Sequence, residues 1–252
     1  MSMVRVSLDG PIGVLTLSRP ERHNSLVPDL LIGLIEGHRE IVDRGATVGV
    51  LTAAGPTFST GGDIKAIREA DDREAYARHL VGLLNEAVLE IAFGPIPMVA
   101  AVHGMLTGGS VGLVLACDRV VLAAETTIRS WYATVGFAPD GGWTALLPGI
   151  IGVRRAAAVL LADDTITPAE ALAWGVVHEV TPGAAVRDRA LETARRIAGT
   201  KAGARDAIRR LTAEDRSEVA ARLEAELAGF VAQVTTDEST AGMDAFLRGE
   251  LR

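Results

Sequence analysis

Residues 98–117, MVAAVHGMLTGGSVGLVLAC, run for twenty positions without a formal charge. A stretch this apolar must be kept from water, and there are two ways to do it. One is a helix across a bilayer, which needs about 20 such residues. The other is burial in a core. The interruptions decide between them. Pro95 and Pro97 precede the run, Gly104, Gly108, Gly109 and Gly112 cut it, and His103 lies inside it. The stretch therefore divides into a strand, a glycine loop and a short buried helix. PMVAAV is continuously apolar, as expected of a strand covered on both faces, and residues 109–116 read as the helix. No membrane association is expected. MSMVRVSLDG lacks the apolar run of a signal peptide, so the expected location is cytoplasmic.

The flanking sequence repeats the theme. VRVSL and GVLTL enclose Asp9-Gly10-Pro11, a hairpin signal. Leu30, Leu31, Leu34, Ile35 and Ile41 fall at helical spacing, as do Tyr76, Leu80, Leu84, Ala87, Val88 and Ile91. Residues 47–52 and RVVLAA return to strand. Strand and helix alternate over the first 125 residues, which argues for βαβ units and an α/β fold. Thr167-Pro168-Ala169-Glu170 is a capping box with proline at the first helical position. From Ala184 onward the chain reads as charged helix. With no repeat or linker visible, residues 1–183 are expected to form the core, and 184–252 a helical region that packs on another subunit. Apolar residues are 48% but aromatics only 4%, so Ala, Val, Leu and Ile must build the interior. A net charge of −7 argues against nucleic acid as a partner. The single cysteine, Cys117, excludes an internal disulfide and a cysteine-based zinc site; no metal is expected.

Two short stretches share one grammar. Ser59-Thr60-Gly61-Gly62-Asp63 and Leu106-Thr107-Gly108-Gly109-Ser110 each follow an apolar strand and precede a helix. Glycine reaches backbone angles closed to other residues and lets a ligand approach the main chain. Asp63 is placed to cap the next helix, which would put the Gly62 N–H at a helix start that favours negative charge. Two strand ends that each aim one N–H at the same point would form an oxyanion hole. The plainer alternative is a pair of strand-to-helix turns. Neither stretch is a phosphate-binding fingerprint.

Five segments in order, RPERHNSL, FSTGGDIK, AVHGMLTGGSVGLVLACDRV, VGFAPDGGWTALLPGIIG and ITPAEALAWGVVHEVTP, resemble the enoyl-CoA hydratase/isomerase (crotonase) family. The likeness runs from about Leu17 to Pro182. It implies a spiral of ββα units followed by helices that assemble homotrimers, often paired into hexamers. It implies an acyl-CoA thioester as substrate, with coenzyme A carried by the substrate and no permanently bound cofactor. By motif position the thioester carbonyl would sit between the N–H groups of Gly62 and Gly109, with Gly61 and Gly108 beside them among the substrate-binding positions. Arg22, His23 and Ser25 match coenzyme A-side positions, and Thr60, Asp63 and Ile64 the adenine-side wall.

The resemblance also exposes a departure. Typical hydratases use two glutamates, and the matching positions here are Gly112 and Tyr132. Glycine has no side chain, and a phenol with an ordinary pKa near 10 is a poor base at neutral pH. Ordinary hydration is therefore not expected. Asp140, in FAPDGG, matches an aspartate that reaches the acyl group in some branches of the family. It would remove an α or γ proton from the thioester, the enolate so formed being held by Gly62 and Gly109, or it would serve only as the N-cap of a following helix. Trp131 and Tyr132 would line the acyl pocket, or pack the core. His79 is a further, weaker candidate base. The leading expectation is an isomerase-type reaction using Asp140. The alternatives are a hydrolase or dehalogenase-like reaction with Asp140 as nucleophile, and a non-catalytic acyl-CoA-binding protein.

Overall fold

The computed structural model describes residues 2–251. The hairpin forms as expected: β1 (Val4–Asp9) and β2 (Ile12–Leu17) pair antiparallel around Gly10. Helix α1 (Pro28–Asp43) then leads to β3 (Val48–Ala53), which lies parallel to β2. Two helices follow, α2 (Ile64–Glu69) and α3 (Arg73–Phe93). Asp63 caps the first by accepting from the Ala66 N–H, and Asp72 caps the second by accepting from Ala75.

The uncharged run resolves as strand, loop and helix. It gives β4 (Met98–Val102), every residue of it buried, then β5 (Met105–Thr107) and α4 (Ser110–Leu115). Beyond it come β6 (Arg119–Ala123) and β7 (Thr127–Arg129), then four short helices. These are α5 (Tyr132–Val135), α6 (Leu147–Ile151), α7 (Val153–Ala162) and α8 (Pro168–Ala173). The Thr167–Glu170 capping box is present at the start of α8. WGVVHEV contributes β8 (Glu179–Thr181). The last quarter is helical: α9 (Val186–Ala198), α10 (Ala202–Thr212), α11 (Arg216–Val234) and α12 (Asp237–Leu247). No helix among the described residues is long and apolar enough to cross a membrane.

The main sheet has the order β1-β2-β3-β4-β6-β8, parallel except for the first pair, and β5 and β7 form a separate parallel pair. A parallel sheet must be covered on both faces, and side chains alternate between them. On one face Leu15, Leu17, Leu51, Ala100 and Val102 meet the core under α1 and α3. On the other, Ile12, Val14, Val48, Val50, Val99 and Ala101 meet Val186, Ala190 and Ala194 of α9. The expected boundary at 183/184 thus falls just before a helix that closes the sheet. Helix α11 lies along α3, and Asn85 of α3 donates to the Leu223 carbonyl at 3.0 Å.

Two strand glycines in register, Gly13 and Gly49, make room for this packing. A Cβ on Gly13 would enter the Ile41 side chain of α1, and one on Gly49 would strike the Met98 sulfur. Overpacking of this kind destabilises by about 1–3 kcal/mol. Gly49→Val is therefore expected to lower the urea unfolding midpoint by a corresponding amount, with α-helical circular dichroism retained below the transition.

Candidate active site

The first wall of the site is the polar corner before α1. His23 and Asn24 both have positive φ, 52° and 51°. Asn24 is fully buried and holds the corner in place. Its side-chain oxygen accepts from the Arg19 N–H, and its amide donates to the carbonyls of Ala54 and Thr57. Arg19, which the motif reading passed over, donates through Nη1 to the Ser25 hydroxyl at 2.7 Å and to Asp63 at 2.8 Å. The Ser25 hydroxyl donates in turn to Asp63. Burial alone would raise the Asp63 pKa; the hydrogen bonds from Arg19, the Ala66 N–H and Arg22 outweigh it and hold the carboxyl below its usual range. Ser25 and Asp63 are thus turned inward, whereas the Arg22 side chain, 43% exposed, keeps its guanidinium near solvent while touching Asp63 at 3.1 Å. His23 is exposed and meets the second wall through its carbonyl, which accepts from the Thr60 N–H.

The two glycine turns lie against each other. Ser59 and Leu106 form a parallel bridge, so the chains leaving β3 and β4 run side by side. Gly61 has φ 76° and Gly108 φ 55°. A Cβ on Gly61 would press on the Thr107 carbonyl and the Gly108 Cα, so backbone contact this close needs glycine at that position. On its outer side this chain pairs with the corner: Leu26 donates to the Gly61 carbonyl and Asp63 donates to that of Leu26. That pairing leaves the intervening Gly62 N–H directed away from Leu26. Neither Gly62 nor Gly109 donates its N–H to any group among the described residues. The Gly108 carbonyl is fixed by the indole N–H of Trp143, 2.8 Å away, and Trp143 is fully buried.

Gly62, Gly108, Gly109, Thr60 and Ile64 line one cavity together with Trp131, Tyr132 and Asp140. The chain has 3 Trp, 2 Tyr and 5 Phe. Half of them face this one space: Trp131, Tyr132, Phe137, Phe230 and Phe246. Phe137 and Phe230 pack with centroids 5.1 Å apart, and Trp131 meets Phe246 edge-on at 6.4 Å. Phe230 and Phe246 come from α11 and α12, beyond the reach of the motifs. His79 is exposed and does not line the cavity.

Asp140 is the carboxylate of this cavity, and it is 6% exposed. Its side chain accepts a hydrogen bond from the Tyr132 hydroxyl. It caps no helix: residues 141–146 form turns, with Gly141 and Gly142 at positive φ, and α6 begins only at Leu147. The N-cap alternative is therefore corrected. The N–H groups of that turn are held instead by Glu226 of α11, which accepts from Gly142, Thr144 and Ala145 at 2.6–2.8 Å and from the Thr144 hydroxyl. Burial pushes the Asp140 pKa up, to about 7; the Tyr132 hydrogen bond opposes the rise and the Glu226 carboxylate adds to it. Burial, then the Asp140 charge, raises the Tyr132 hydroxyl well above its ordinary value, which keeps it a donor.

Gly112, which the resemblance matches to a glutamate, is closed to a side chain. A Cβ on Gly112 would collide with the Gly141 carbonyl, so the loop carrying Asp140 occupies that space. At Gly109 a Cβ would sit 3.0 Å from Asp140 Oδ1 and would also strike Leu84. One carboxylate, entering from the loop after α5, stands where side chains from α4 are excluded. Among the described residues no group of three or more His, Cys, Asp or Glu is placed to hold a metal.

Two amides without a partner among the described residues and one raised carboxyl thus meet in an apolar cleft. The chain belongs to the enoyl-CoA hydratase/isomerase family, whose pattern it matches over residues 8–250. The 4-chlorobenzoyl coenzyme A dehalogenase-2 of Arthrobacter is 33% identical over 198 residues, covering 77% of this chain and 72% of the relative. The 1,2-epoxyphenylacetyl-CoA isomerase of Escherichia coli K12 is 28% identical over 202 residues, 79% of this chain and 77% of the relative. A solved enoyl-CoA hydratase from Bacillus halodurans superposes with a TM-score of 0.89 at 25% identity, covering 97% of this chain and all of the other.

The raised Asp140 pKa fixes the sign of a pH effect. An aspartate of pKa about 3.9 when unfolded and about 7 when folded binds more protons in the native state between those values. Stability is lost as pH rises through that window. Asp140→Asn is expected to raise the urea unfolding midpoint, by more at pH 8 than at pH 5.

Proposed function

We propose that the protein processes acyl-CoA thioesters through an enolate, with the N–H groups of Gly62 and Gly109 on the thioester oxygen and Asp140 as the general base. The observation that carries this reading is the buried Asp140 carboxyl, beside Gly109 and with a pKa near neutrality. A base is most effective when its pKa lies near the working pH. Asp140 takes a proton from the α-carbon; the electron pair moves onto the thioester oxygen, where two amide donors receive it. In a β,γ-unsaturated substrate the same carboxyl returns the proton to the γ-carbon and the double bond moves to the α,β position. Nothing is added or lost, so the reaction is an isomerisation. Each donor in such a hole is worth about 3 kcal/mol in the transition state. Thr60 and Ile64 form the cavity edge toward the Arg22–His23–Ser25 corner, which supports placing the coenzyme A portion there. The exposed apolar side chains Val153, Leu161, Ile208 and Leu211 on α7 and α10 support assembly through those helices. Sedimentation is expected to give three or six times 26.4 kDa.

A second reading has its own support. The dehalogenase relative and the aromatic walls favour a ring-bearing acyl group and direct attack by Asp140. One set of measurements separates the two. Incubated with phenylacetyl-CoA and with butyryl-CoA in heavy water, the protein is expected to exchange the α-protons, read by proton NMR. Asp140→Asn should slow that exchange by about 10²–10⁴-fold. If 4-chlorobenzoyl-CoA in heavy-oxygen water instead labels Asp140 in a single turnover, and no α-exchange occurs, nucleophilic attack replaces proton abstraction.

A further inference from the structure

We propose that Asp163, which lies outside the cavity, is a positioning residue for the reacting carboxylate, acting through the turn that carries Trp131 and Tyr132. The proposal rests on the reading of Asp140 as the base. It begins from two backbone conformations. Trp131, at the start of α5, has φ 64°, and Asp163, at the end of α7, has φ 53°. Left-handed φ is unfavourable for a residue with a Cβ, and it persists only where surrounding contacts over-determine it.

Those contacts run between the two residues. One oxygen of the Asp163 carboxylate accepts from the Trp131 N–H at 2.7 Å and from the Ser130 hydroxyl. The other accepts from the Thr134 hydroxyl, with the Arg129 guanidinium 3.6 Å away. The Asp163 carbonyl accepts from Arg129 Nε at 3.1 Å, and the same guanidinium stacks on the Trp131 ring at 3.8 Å. Every polar contact of this buried side chain therefore falls on residues 129–134.

Helix α5 is only four residues long, and Trp131 supplies no side-chain cap. So short a helix has little stability of its own. Asp163 caps it from a distant part of the chain, 29 to 33 positions away in sequence. The turn it fixes begins with Tyr132, whose hydroxyl donates to Asp140. Two titratable groups face Asp140: Tyr132 from α5 and Glu226 from α11. Glu226 is tied to the 142–145 turn and holds its place without α5. Only the Tyr132 contact depends on Asp163. Releasing it removes the donor that favours the Asp140 anion, so Asp140 would stay protonated to higher pH and be less available as a base.

The test uses Asp163→Gly, which removes the carboxylate while leaving a residue at ease at positive φ. The full-length variant, labelled with ¹³C at the aspartate carboxyls, is titrated by NMR, with the Asp140 signal assigned by its loss in Asp140→Asn. The Asp140 midpoint is expected to move up in Asp163→Gly and in Tyr132→Phe, with no further movement in the double variant. The acid limb of the α-proton exchange rate should move the same way. At neutral pH kcat should fall by about tenfold or more, with KM for phenylacetyl-CoA within about twofold. Asp163→Asn, which keeps an acceptor for the Trp131 N–H, should shift the midpoint in the same direction by less. An unchanged Asp140 midpoint in both Asp163 variants, alongside a shifted one in Tyr132→Phe, would overturn the proposal. The titration is read without turnover. If Asp140→Asn retained full exchange activity, the base assignment would fail while the positioning claim stayed separately decided.

Discussion

The architecture depends on main chain meeting main chain with no side chain between. Gly61 lies on the Thr107–Gly108 peptide, and Gly112 and Gly109 both lie under Gly141. These approaches bring three segments, distant in sequence, to one point: the end of β3, the end of β5 and the loop after α5. A methyl group at Gly61, Gly112 or Gly141 would push them apart. Because the segments close so tightly, Gly62 and Gly109 line the same cavity, and the N–H of neither donates to another group among the described residues. An unpaired amide in a protein interior is unfavourable by itself. Two at one place point to an acceptor supplied from outside.

The same closeness governs which side chains can enter the cavity. The backbone of Gly141 fills the volume beside Gly112, so α4 has no room for a carboxylate there. The position matched to the second glutamate carries a phenol that donates to Asp140. The carboxylate that does line the cavity is Asp140. It arrives buried, beside Glu226, with a single side-chain hydroxyl donating to it. That environment disfavours the anion, which weakens the native state at neutral pH and makes the carboxylate a stronger base. One arrangement thus works against folding and raises proton affinity, as perturbed groups at functional sites commonly do.

Much of this was legible in the sequence, and for identifiable reasons. Strong period-two and continuous apolar runs located β2, β3, β4 and β6, because a parallel sheet covered on both faces leaves few polar positions to confuse the pattern. The glycine pairs announced the two turns, since positive φ at Gly61 and Gly108 demands that residue. What escaped was tertiary. Glu226 sits in LEAELAGF, where it reads as one more charge on a helix; only the fold shows it accepting from the 142–145 turn. Asp163 in LADDT looks like a loop acid, and Arg19 in SRPER like a solvated cation. Phe230 and Phe246 belong to helices whose sequence says nothing of which face meets the cavity. For Asp140 the N-cap alternative arises because an Asp before a turn resembles a cap, whereas Glu226, 86 positions later, accepts from the N–H groups of that turn instead.

The placement of α11 and α12 has a consequence for the cleft. The pocket wall includes Phe230 and Phe246, and the loop bearing the carboxylate is tethered by Glu226. Without α11 and α12 the cleft would lack the Phe230 and Phe246 wall and the Glu226 tether, so its closure depends on contacts far along the chain from the glycine turns.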